Sequence, residues 1–136
     1  MPTHPARQLP YTILRATQFL EFLTFMADAA TRGDTVAAAP TALQPVAAAD
    51  VSAALADIAV APPRNGRQDL AGLARRSMAE FLARALADSD SRTVVTDPTA
   101  GHFGAQVDDT TLVPTGGARI ADTDLDTWLA RRAPAR

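Results

Sequence analysis

The 136-residue sequence predicts an α/β fold. Three observations carry that expectation. A short β-branched and aromatic run, Tyr11–Leu14, leads straight into apolar residues spaced for a helix. Strand signals and helical periods then alternate along the chain instead of grouping by type. Turn and stop signals separate them: Pro40, Pro62-Pro63, Asn65-Gly66 and Asp97-Pro98. Hydrophobic content of 47% with 21% charged residues is ordinary for a globular domain with a real core.

Met1–Gln8, with two prolines and no period, reads as a disordered lead-in, leaving residues 9–136 as one domain. Tyr11–Leu14 is expected as a buried strand, and the polar tetrad Arg15-Ala16-Thr17-Gln18 ends its apolar run. Phe19, Phe22, Leu23 and Met26 follow at i, i+3, i+4, i+7 and define a helix face, with Thr17 or Gln18 as cap and Gly33 as stop. Thr35–Ala39 and Leu43–Ala47 are candidate short strands, the second interrupted by Pro45. Asp50 is a good N-cap for a helix whose inner face is Val51, Ala54, Leu55 and Ile58.

Arg67–Ala71 is a weak strand. Ser77 and Glu80 form a capping-box pattern, after which Met78, Phe81, Leu82 and Ala85 share a helical face. Asp88–Ser91 is a polar loop and Thr93–Thr96 a strand. From Thr99 to Ala121 no period is visible. Thr123 and Asp126 repeat the capping pattern before a last helix with Leu125, Trp128 and Leu129 on one side.

Composition excludes several functions. The 13 basic residues are all arginine, and the net charge of -2 with a pI near 5.5 gives no basic footprint for nucleic acid. There is no cysteine, hence no disulfide, thiolate nucleophile or cysteine metal site. The start lacks the charged and apolar regions of a signal peptide, and Glu21 and Asp28 break the longest apolar run. A cytoplasmic protein with no membrane span is expected. His102 with Asp108 and Asp109 fits no established ligand spacing, so no metal site is assigned. No serine lies in G-x-S-x-G. Tyr11 and Arg15 have the spacing of a Tyr-x-x-x-Lys pair, but arginine does not titrate and the chain has no lysine. No catalytic residue is assigned.

A strand that delivers polar residues to the mouth of a helix is where open α/β sheets bind ligands. The stretch Tyr-Thr-Ile-Leu-Arg-Ala-Thr-Gln-Phe, residues 11–19, resembles the late strand and following helix of NmrA-like, atypical short-chain dehydrogenase/reductases. Gln44–Leu55 is similar to that family's strand and "DVA" helix. Phe103-Gly104-Ala105, Asp108-Asp109 and Leu112-Val113-Pro114 resemble the tail of its actinobacterial members. The likeness runs from Leu9 to Ala130 and covers the second half of the family's domain. It implies a partial Rossmann-like sheet made of the last strands, with helices and a small C-terminal substrate-type subdomain.

The resemblance also implies a cofactor, NAD or NADP, whose nicotinamide end meets Ala16, Thr17, Gln18 and Phe19. Thr17 and Gln18 either cap the helix or hydrogen-bond the carboxamide. Phe22 and Phe25 either fill the core or line a substrate pocket, with His102 and Phe103 in the neighbouring loop. The glycine-rich turn that grips pyrophosphate is absent from the sequence. A truncated reductase-like protein, not catalytic alone, is therefore expected, either self-associated or paired with a chain that supplies the N-terminal half. The alternative is a non-enzymatic module that binds a small ligand or a protein and self-associates.

Overall fold

A computed structural model describes residues 9–87, 90–103 and 105–132. The lead-in 1–8 and Gly104 lie outside the described residues, as does part of the Asp88–Ser91 loop. The first strand, β1 (Thr12–Ala16), alternates half-buried and exposed positions. It is thus covered on one face only, and Ile13 stands 55% exposed where a buried strand was expected.

The chain then enters a 3-10 turn, Leu20–Phe22, before α1 (Leu23–Ala29). Because a 3-10 turn eclipses i and i+3, Leu20 and Leu23 point inward together while Phe22 rotates out. The buried side is Leu20, Leu23, Met26 and Ala27, which corrects the expected Phe19, Phe22, Leu23, Met26 face. Neither Thr17 nor Gln18 caps the helix. Phe19 is the N-cap of the 3-10 turn and Phe22 that of α1, neither with a side-chain bond, and the Thr17 hydroxyl donates instead to the Gln44 carbonyl at 2.6 Å. Gly33 is no helix stop either. With φ at 64° it turns the hairpin of β2 (Thr31–Arg32) and β3 (Thr35–Ala38).

Past Pro40 comes β4 (Ala42–Leu43), shorter than expected because Pro45 interrupts it; Val46 makes only an isolated bridge to Phe19. In α2 (Ala48–Val60) Ala47 is the N-cap, and Asp50 lies one turn inside, where it accepts a bond from the Thr123 amide. Of its expected inner face, Ala54 is buried, Val51 and Ile58 are half-buried and Leu55 is exposed, since the sheet beneath is too narrow to cover more.

The weak strand is present as β5 (Gly66–Ala71), entered through Asn65 at φ 54°. β6 (Arg76–Ser77) leads into α3 (Met78–Leu86), where the Ser77 hydroxyl accepts from the Glu80 amide and Met78, Phe81, Leu82 and Ala85 are all buried, as their period requires. β7 (Thr93–Thr96) lies where expected. The unpatterned stretch contains one strand that no periodicity marks, β8 (Arg119–Ile120). In α4 (Leu125–Arg131) the cap is Asp124, not Thr123; it accepts from the Thr127 amide at 2.7 Å.

The architecture is α/β with parallel pairing, in keeping with a partial Rossmann-like sheet. β1, β5 and β8 form one sheet in that order, parallel throughout, with Leu14 opposite Gln68. The connection from β1 to β5 runs through α2, since parallel strands need a crossover. A second sheet, β2-β3-β7, pairs β3 and β7 in parallel, and β4 pairs with β6.

Two cores result. The larger joins α1, α3, β3 and Leu125; the smaller is Val46, Ala54, Leu70 and Ala121, backed by Leu14, Ala16, Phe19 and Val51. Ile13 and Leu14 do lie in a sheet, but the helix on it is α2. The helix after Phe19 packs into the other core, and the two meet where Leu20 donates its amide to the Val46 carbonyl.

Candidate functional site

The residues that the sequence singled out gather at the carboxyl end of β1, around two cavities that share Gln18. One, of about 220 Å³, is walled by Arg15, Ala16, Thr17 and Gln18 together with Asp69 and the segment Thr111–Pro114. The other, of about 230 Å³, is walled by Gln18, Phe22, Phe25, Met26, His102 and Phe103. Three of the four cofactor candidates thus line the first cavity and all four substrate-pocket candidates line the second. Phe19 lines neither; its backbone pairs with Val46, and its ring packs on the small core and stacks on Phe22.

Backbone bonds fix this strand end. The Thr17 amide donates to the Leu70 carbonyl, and the Gln18 carbonyl accepts from the Val46 amide at 2.8 Å. Gln44 braces it further by accepting from the Thr17 hydroxyl and donating its own side-chain amide to the Gly72 carbonyl. Gly72 is required here: a Cβ would run into the Pro45 carbonyl. Arg15 makes a two-pronged ion pair with Asp69 across β1 and β5, at 3.1 and 3.2 Å, and Arg67 joins them. Among the described residues the Gln18 Oε1 atom is the buried side-chain oxygen left without a hydrogen-bond partner. Such an atom costs about 1–3 kcal/mol relative to a satisfied one.

The second cavity is aromatic. Phe25 stacks on Phe103 with centroids 5.9 Å apart, and Phe22 meets Phe25 edge-on at 6.5 Å. Phe103 reaches that position from a tight turn closed by two His102–Ala105 backbone bonds, with its own φ at 50°. Burial pushes the His102 imidazole below its ordinary pKa, so it is neutral at pH 7. His102 does not meet the acids near it in sequence. Asp108 gives its carboxylate to Thr110 and Thr111, which hold its pKa below the usual carboxylate value. Among the described residues no group of three potential ligands surrounds a metal position.

Sequence reading missed Gln44, Asp69 and Thr41. Thr41, 3% exposed, donates its hydroxyl to the Asp108 carbonyl and ties the loop to β4. None carries a local signal, because each acts on a residue 27 to 67 positions away. Among the described residues no helix is long and apolar enough to cross a membrane. Set beside models of protein families, curated proteins and solved structures, the chain matches none of them.

Proposed function

We propose that this chain forms the nicotinamide- and substrate-facing part of a dinucleotide-binding unit of the NmrA-like, short-chain dehydrogenase/reductase kind, and that these residues alone do not catalyse. The observation that carries the reading is the unpartnered Gln18 oxygen at the carboxyl end of a parallel strand, between two cavities. A carboxamide NH2 is the group that would satisfy it. Thr17 suits the same partner: its proton goes to Gln44, so its oxygen is left to accept. Ala16 and Pro114 give the first cavity apolar wall for a flat ring.

When bound, NAD or NADP would supply hydride chemistry; the residues here would orient its nicotinamide and hold a substrate alongside. The sequence has no glycine-rich turn for the pyrophosphate, and Arg15 is already committed to Asp69. Affinity should therefore reside in the nicotinamide end. In calorimetric titration, nicotinamide mononucleotide and NADP should bind with similar, weak affinity. NADP binding more than about tenfold tighter would mean that phosphate contacts exist here, against the reading. No binding of either would end it.

The open side of β1 supports a companion proposal. Among the described residues β1 pairs with β5 alone, and Tyr11 and Ile13 are 43% and 55% exposed beside that edge. An unpaired strand edge is a template for another strand. A second copy of this chain, or a chain with the phosphate-binding half, would add there. Light scattering should show an assembly larger than one chain; a monomer at every concentration would count against it.

A further inference from the structure

We propose that the cavity walled by Phe22, Phe25, His102 and Phe103 takes a flat, uncharged aromatic molecule of one or two fused rings. This deepens the reading above by naming the class of substrate, and it shares with that reading only the position of the cavity beside Gln18.

The rings are already arranged as a stacking platform. Phe25 and Phe103 lie nearly parallel, 24° apart in plane, and Phe22 and His102 close the two ends at 60° and 71°. Offset and edge-on contacts with centroids 4.5–7 Å apart are the favourable geometries for aromatic pairs, so a further ring extends the series. The three phenylalanines are 55–60% exposed. Apolar surface of this kind, gathered at one cavity mouth, is the usual mark of a binding face. Phe103 is also held at positive φ, which a bulky residue rarely adopts and which recurs at ligand clamps.

Charge and size narrow the ligand. Among the described residues no arginine, aspartate or glutamate lines this cavity, while Arg32 belongs to the neighbouring one, so an ion would shed its hydration here without a partner. The neutral state of His102 keeps the walls uncharged at pH 7. At about 230 Å³ the space is below the roughly 300–1,000 Å³ typical of drug-sized ligands, which favours one or two rings.

The test compares 2-naphthol with trans-2-decalol, which has the same skeleton and hydroxyl without the aromatic faces, and with 2-naphthoate, which adds a charge. Titration of the full chain should give 2-naphthol at least about tenfold tighter binding than either. Phe25→Leu and Phe103→Leu, which keep apolar bulk and lose the ring, should each weaken 2-naphthol several-fold and leave trans-2-decalol unchanged. Thermal melts report whether each variant folds, and Phe25, exposed on a helix, serves if the strained turn does not tolerate the Phe103 change. Equal binding of the three probes, or 2-naphthol binding indifferent to both substitutions, would overturn the proposal. Repeating the titration with nicotinamide mononucleotide separates the two claims. A chain that binds 2-naphthol but ignores the mononucleotide keeps this inference and loses the cofactor reading; the reverse loses this one alone.

Discussion

The two cores of this protein are built to different standards. The larger one interlocks α1, α3 and the β3–β7 pair, with Leu23, Leu43, Leu82, Val36 and Ala85 wholly removed from solvent. The smaller one has four buried residues, Ala54 of α2 and the three beneath it, Val46, Leu70 and Ala121. Its sheet has a bare outer face carrying Ile13, Arg15 and Arg67, and its third strand is two residues long. The larger core holds the chain together, and the candidate site lies on the seam between the two. A site there has one rigid wall, α1 with Phe25 and Met26, and one wall whose partners across the sheet are few.

That contrast predicts a ranking. Leu82→Ala, in the larger core, should cost about 3–5 kcal/mol, the upper part of the range for buried leucines, and should lower the urea midpoint further than any other change named here. Gly72→Ala drives a methyl into the Pro45 carbonyl and should cost about 3 kcal/mol by forcing β5 and the Gln44–Val46 segment apart. Hydrogen exchange should then show β1 and β5 amides losing protection while α3 keeps its own. Leu70→Ala, equally buried but in the thinner core, should cost only about 2 kcal/mol, because its neighbours can settle into the space. If Leu70→Ala costs as much as Leu82→Ala in urea melts, the two cores are not distinct in stability.

The smallest effect is acid sensitivity of the loop that carries His102 and Phe103. Asp97 and Asp108 have carboxyls held below their ordinary value of 3.8, first by the amides of Thr99 and Thr110 respectively and then by threonine hydroxyls. A carboxyl with a lowered folded-state pKa adds stability that is complete above the unfolded value and fades as pH falls through the folded one. The carboxyl contribution should therefore be complete above about pH 5 and fade below about pH 4, whereas His102, whose pKa burial lowers, costs the loop stability as pH falls below about 6.5. Asp108→Asn should remove that part of the acid sensitivity, as read from the Phe103 ring resonances.

How much of this was legible in the sequence follows the range of each interaction. α3 was plain because its capping serine and its apolar period lie within nine residues. β7 was plain from its β-branched run. The 3-10 entry to α1 was not, since Phe19 and Phe22 fit a helical period as well as Leu20 and Leu23 do, and tertiary packing chose the second pair. β8 was hidden because a two-residue strand carries no alternation to detect. Ala16–Gln18 stood out locally as a polar break after a strand, and so did the aromatic residues after it. Their division into two cavities depended on Asp69, on His102 and Phe103, and on Thr111–Pro114, whose approach no local pattern encodes.

On the proposal above, Gln18 and Thr17 mark the place of a nicotinamide carboxamide. The direct measurement is a two-dimensional NMR titration of the chain with nicotinamide mononucleotide, following backbone amides and the Gln18 side-chain NH2. Shifts should concentrate at Ala16–Gln18, Leu70 and Thr111–Val113, with the Gln18 side chain among the largest, and should be lost in Gln18→Leu. Shifts scattered over the surface, or none at millimolar mononucleotide, would contradict it.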